Sequence, residues 1–147
     1  MSAEAESAFV DTNVLVYALA SDDDRRSPVA QRLLKRLMTE RTFRTSAQVL
    51  QELFVTLTRK VRKPMSSREA LRYLDQIAAW PVMSPDYAAI RDAIELAESA
   101  HLSFWDALVV VAAARSGARR LYSEDLQDGQ VLLGVGVVNP FRETTSA

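Results

Sequence analysis

Eight consecutive apolar residues, Ala107 to Ala114, follow Asp106 without a single charge. At 3.6 residues per turn such a run is apolar on every face, so as a helix it belongs inside a core. A chain of 147 residues can supply one core, burying roughly two thirds of the surface that its unfolded form exposes. We therefore expect one domain over 1–147, with flexibility confined to the polar, small-residue-rich ends, 1–7 and 143–147.

The rest of the chain alternates short apolar runs with helical patterns. Ala8 to Asp11 reads as a strand, and Val14 to Ala20, after the polar pair Thr12-Asn13, as a helix. Ser27-Pro28 resembles an N-cap followed by proline at the first helical position, which predicts a helix to about Met38. Phe43 to Thr45 predicts a second strand. Val49, Leu50, Leu53, Phe54 and Leu57 share one face of a helix over Ala47 to Lys60. Ser66 and Glu69 make a capping-box pattern for a helix to about Ala79, which Trp80-Pro81 ends. Val82-Met83 predicts a third strand and Asp86 to Ser99 another helix. Ser103 opens the buried helix, which runs to about Ser116 with Gly117 as its C-terminal cap. Arg120 to Ser123 and Gly136 to Asn139 are the fourth and fifth strands. This alternation implies an α/β fold with right-handed crossovers and a mostly parallel sheet of about five short strands, covered on both faces.

Composition narrows the chemistry. Hydrophobic residues make up 48% and charged residues 25% of the chain, which are globular proportions. No apolar run approaches the roughly 18 residues of a membrane-spanning helix, and the start, MSAEAESA, is acidic where a secretory signal is basic. The expectation is a soluble, cytoplasmic protein with no membrane association. There is no cysteine, which excludes disulfides and thiolate metal sites, and the single His101 cannot build a histidine-rich zinc site. Any metal must be held by oxygen. The net charge of -1 conceals an asymmetry: from Arg25 to Arg72 there are 13 basic residues and three acids, while Met1 to Asp24 carries six acids and no base. Solvated helix surfaces account for much of that; the remainder suits a rim that binds a polyanion.

Four carboxylates stand out. Asp11 ends the first strand, at the edge of a parallel sheet where ligands bind, although an aspartate there also serves as a helix N-cap. Glu52 lies with Thr56 at the border of an apolar stripe, where it can face a cleft or simply solvent. Asp106 is the only carboxylate of the buried helix; it can form a capping box with Ser103, and a ligand at a helix N-terminus gains from the same backbone donors. Asp125 follows the fourth strand within a polar loop that also holds Glu124 and Asp128. The fold sends these groups towards one edge of the sheet. Several carboxylates cannot share a small site fully charged without a cation, and all-oxygen ligation selects Mg²⁺, Mn²⁺ or Ca²⁺.

The segments Phe9-Val10-Asp11-Thr12-Asn13, Ser46-Ala47-Gln48-Val49-Leu50-Gln51-Glu52-Leu53, Ser103-Phe104-Trp105-Asp106-Ala107 and Leu121-Tyr122-Ser123-Glu124-Asp125-Leu126 together resemble the PIN-domain family. Within it they are similar to the VapC-type toxins of bacterial toxin–antitoxin pairs. The resemblance spans nearly the whole chain. It implies a three-layer α/β/α sandwich, dependence on Mg²⁺ or Mn²⁺, and endonuclease activity on RNA. Homodimerisation and inhibition by a cognate antitoxin are implied too. The family's catalytic, metal-binding quartet carries over onto Asp11, Glu52, Asp106 and Asp125, its supporting polar positions onto Thr12 or Asn13 and Ser123, with Asp128 as an extra.

On this reading the carboxylates hold one or two divalent ions that activate water for attack on a phosphodiester. Arg59, Lys60, Arg62 and Lys63 are candidates for binding flanking phosphates. Phe104 or Trp105 could stack on an unpaired base, though core packing is the plainer role for both. His101 belongs to no constellation and reads as a surface or loop residue. Two rivals remain. A phosphoryl-transfer domain would want Asp-x-Asp where this chain has Asp11-Thr12-Asn13, or a late lysine, and the only lysines are Lys35, Lys60 and Lys63. A catalytically silent RNA- or protein-binding module would not need the four acids.

Overall fold

In the computed structural model, which describes residues 6–142, β1 (Ala8–Val10) has a parallel neighbour on each side, β2 (Phe43–Ser46) and β4 (Arg120–Tyr122). All three β1 residues are buried, as a strand covered on both faces requires. β3 (Val82–Met83) pairs with β2, and β6 (Val135–Val138) with β4, again in parallel. β5 (Val131–Leu132) runs antiparallel to β6 and completes a six-stranded sheet of order β3-β2-β1-β4-β6-β5. The sequence reading omits β5 because two residues carry no periodicity. Its turn has positive φ at both Leu133 and Gly134, the conformation that tight hairpins adopt.

Six helices complete the alternation: α1 (Thr12–Ala20), α2 (Arg26–Thr39), α3 (Ala47–Val55), α4 (Ser67–Ala78), α5 (Tyr87–Ala100) and α6 (Phe104–Arg115). α6 is buried from Ala107 to Ala113, as its all-round apolarity demands, and packs on α5 and against β2, β4 and β6. α1 packs on α2 and α3. Gly117, with φ +79, ends α6 as expected. Among the described residues no single helix is long and apolar enough to cross a membrane.

Two helix ends differ from the sequence reading. α2 begins before Ser27-Pro28, and Asp23 does the capping: its Oδ1 accepts from the backbone N–H groups of Arg25 at 3.0 Å and Arg26 at 2.6 Å. Ser27 instead lies inside the helix and donates its hydroxyl to the carbonyls of Tyr17 and Ser21, tying α2 to α1. The second difference concerns the helix expected over 47–60. It stays α-helical to Val55, and Thr56–Lys60 forms a π-helical turn, closed by Val61 N–H on the Thr56 carbonyl at 3.1 Å. The Thr58 hydroxyl donates to the Phe54 carbonyl at 2.8 Å, bonding back to residue i−4 at this turn.

The cap of α4 is as expected, with Ser66 Oγ accepting from Glu69 N–H at 3.1 Å and donating to Glu69 Oε1 at 3.2 Å. Ser66→Ala should therefore cost about 1 kcal/mol. A lower urea midpoint at unchanged m-value would show it; an unshifted midpoint would mean the box contributes nothing.

Candidate functional site

The register of the sheet brings the first two site residues together. Val10 pairs with Tyr122, so Asp11 and Ser123, each the next residue in its chain, leave β1 and β4 side by side. Both are buried. Asp11 Oδ1 caps α1 by accepting from Thr12 N–H at 2.8 Å, and Oδ2 accepts from the Ser123 hydroxyl at 2.9 Å. Asp11 is thus a cap and a site carboxylate at once.

Glu52 extends from the exposed border of α3 towards the same place. Its Oε2 accepts from the Thr12 hydroxyl at 2.9 Å, and its Oε1 from Gln48 Nε2, one turn earlier, at 3.0 Å. Gln48 Nε2 also donates to the Trp105 carbonyl at 3.2 Å, which links Glu52 to the start of α6. Asn13 Nδ2 donates to both oxygens of Asp125, at 3.1 and 3.3 Å, and Asp125 N–H donates to Ser123 Oγ at 3.2 Å. Asp106 is half-buried in the first turn of α6, where its N–H donates to Ser103 Oγ at 3.1 Å. That cap uses the Asp106 backbone.

Two of the four acids, Asp11 and Asp125, are raised by burial and by neighbouring charges. Burial pushes the Asp11 carboxyl from 3.8 up to about 6; its bonds from Thr12 and Ser123 oppose the rise, and the charges of Asp125 and Glu52 add to it. Asp125 is raised by partial desolvation first, then by the charges of Asp106 and Glu124, against its bond from Asn13. Asp11, Glu52, Asp125 and Lys60 line one cavity of about 410 Å³.

The donor set suits a hard divalent cation, being all oxygen, anionic and mutually repelling. Among the described residues, however, no three acids stand close enough to enclose an ion as their side chains lie. Thr12, Gln48, Asn13 and Ser123 each hold a carboxylate by a hydrogen bond instead. In donor chemistry Asp11, Glu52, Asp106 and Asp125 fit such an ion; in present spacing they do not close around one.

The remaining candidates separate. Asp128 borders a different cavity; the Asn139 N–H at 2.8 Å and Arg142 at 3.0 Å hold its carboxyl below the usual range. Glu124 turns away to accept from Tyr17 and Arg26, so of the three loop acids Asp125 alone lines the acidic cavity. Lys60 lines that cavity, whereas Arg62 pairs with Asp22 at 3.2 Å and with Lys63 borders a neighbouring one. Arg59 is exposed. Phe104 is half-buried, but Trp105 is 62% exposed, so core packing does not describe it. Their rings meet edge to face at 5.0 Å. His101 terminates α5 with φ 57, a structural position. Gln48 went without a role in the sequence reading; its spacing of four from Glu52 on one helix was the available signal.

The comparisons bear on the fold and the family. The family model for the PIN domain matches residues 8–127. Among solved structures, a toxin–antitoxin complex from Klebsiella pneumoniae is similar with a TM-score of 0.69 at 16% identity, covering 93% of this chain and 100% of that one. VapC20 of Mycobacterium tuberculosis, described as a sarcin–ricin loop cleaving toxin, has a TM-score of 0.61 at 25% identity, covering 81% and 90%. VapBC2 from Rickettsia felis, bound to a DNA fragment from its promoter, has a TM-score of 0.63 at 19% identity, covering 88% and 96%. A search of curated proteins gave no significant sequence match.

Proposed function

The chain belongs to the PIN-domain family, and on that premise we propose that it is a metal-dependent endoribonuclease serving as the toxin of a toxin–antitoxin pair. The observation that carries this reading is the convergence of Asp11, Glu52 and Asp125 on one cavity at the edge of the sheet, with Asp106 in the first turn of α6, which Gln48 ties to Glu52. The described sarcin–ricin loop cleavage of VapC20 supports RNA as the substrate class. The toxin–antitoxin neighbours support a cognate antitoxin as partner; a homodimer is proposed from the family resemblance alone.

Asp11, Glu52, Asp106 and Asp125 would hold Mg²⁺ or Mn²⁺. When bound, such an ion supplies Lewis acidity for hydrolysis of a phosphodiester. The protein's own groups orient the site. Thr12 N–H and Ser123 Oγ fix Asp11, Thr12 Oγ1 and Gln48 fix Glu52, Asn13 fixes Asp125, and Ser103 fixes the helix start that carries Asp106. These bonds limit the directions each carboxylate takes in the metal-free chain; closing around an ion requires some of them to shift, because the present spacing encloses none.

Mixed-sequence single-stranded RNA incubated with the purified protein should be cut on addition of Mn²⁺ or Mg²⁺ and left intact with excess EDTA. Cleavage that survives EDTA would reject the metal dependence. Absence of cleavage with either metal, across structured and unstructured RNAs, would reject the ribonuclease reading. Light scattering at micromolar concentration should give a dimer; a monomer would count against the assembly.

A further inference from the structure

The sequence places four basic residues, Arg59, Lys60, Arg62 and Lys63, after α3, and nothing in their order says which reaches the acids. The backbone does. In an unbroken α-helix Arg59, seven residues after Glu52, lies within about 20° of it around the axis, while Lys60 is about 80° away. A π-helical turn adds one residue to the circuit. Everything beyond it is rotated back by about one residue, so Lys60 takes the angular place that Arg59 would have held. Lys60 accordingly lines the cavity of Asp11, Glu52 and Asp125 as its only basic side chain, and Arg59 does not border it.

A second observation concerns its partners. Arg62, two residues on, is paired with Asp22, whereas Lys60 has no ion-pair partner among the described residues. An unpaired ammonium at the mouth of a cavity rich in carboxylates is a point charge suited to a phosphate oxygen.

We propose that Lys60, aimed by the π-helical turn Thr56–Lys60, binds a non-bridging oxygen of the phosphodiester at the reacting centre. Arg59 and Arg62 contact the substrate's flanking backbone at most. The proposal rests on the ribonuclease reading and names one residue of that site that binds substrate.

The test is single-turnover cleavage of mixed-sequence single-stranded RNA with Mn²⁺, followed over protein concentration for the parent, Lys60→Met, Lys60→Arg and Arg59→Met. Lys60→Met should lower the saturating rate about 100-fold or more, with a thermal melt equal to the parent's, and Lys60→Arg should recover most of it. Arg59→Met should move only the half-saturating concentration, because a flanking phosphate contact affects binding and not the chemical step. A parental saturating rate in Lys60→Met, or an equal loss in Arg59→Met, would overturn the proposal while leaving the ribonuclease reading intact. If the parent itself cuts no RNA with metal present, both fall together.

Discussion

Asp106→Asn should abolish RNA cleavage, by about three orders of magnitude or more for the loss of several kcal/mol of charge stabilisation, while leaving the protein folded. Ser103 caps α6 through the Asp106 backbone N–H, so the substitution does not touch that bond. Neither does it disturb the buried stretch Ala107 to Ala113. It does remove the charge that helps to raise Asp125, so the metal-free protein should melt no lower than the parent. Adding Mn²⁺ separates a ligand from a bystander. The parent should gain thermal stability by mass action, and the variant should gain less. An active Asn variant with an undiminished Mn²⁺ shift would remove Asp106 from the site.

Asp11→Asn should stabilise the metal-free protein at neutral and alkaline pH while eliminating cleavage. In the folded chain the Asp11 carboxyl sits at about 6 against an ordinary 3.8. Ionising it in the native state therefore costs about 3 kcal/mol more than in the unfolded chain. A folded value above the unfolded one puts the penalty on the high-pH side. Below about 4 the group is neutral in both states and costs nothing; the penalty grows between about 4 and 6 and is complete above that. Asn keeps an oxygen for Thr12 N–H, and the Ser123 hydroxyl can turn to accept from its amide. Urea unfolding in EDTA should show the variant ahead by about 3 kcal/mol at pH 8, with the advantage shrinking towards zero near pH 4. A constant difference across that range would mean that Asp11 is not held against its burial.

The strands that the sequence reveals are those with apolar runs between polar breaks, β1, β2, β3, β4 and β6, and α6 declares itself by its lack of a polar face. Caps at Ser66 and Ser103 are legible because one side-chain oxygen and one N–H, close in sequence, decide them; Asp86 reads only as the start of a helix and proves to be its cap. Asp23 was harder to see, since Ser27-Pro28 satisfies the same local rule and only the path of the chain after α1 favours the earlier residue. The π-helical turn leaves no mark in the pattern of residue types, so the separation of Lys60 from Arg59 could not be read. The identities of the four acids came from the pattern and the resemblance. Their hydrogen-bond partners, and the departure of Glu124 and Asp128 to arginines, depend on side-chain directions that only the packed chain fixes.

The sheet ends on both sides in strands of two residues, β3 and β5. A free edge that short offers few N–H and C=O groups to another chain, so it gives little template for strand addition or for growth into fibrils. On the β5 side the tight turn at Leu133-Gly134 closes the hairpin at once. A second chain, whether another copy or an inhibitor, would find most of its contact surface on helices and loops. Specificity of pairing would be written in helix-surface residues, where single substitutions can change partners without disturbing the sheet.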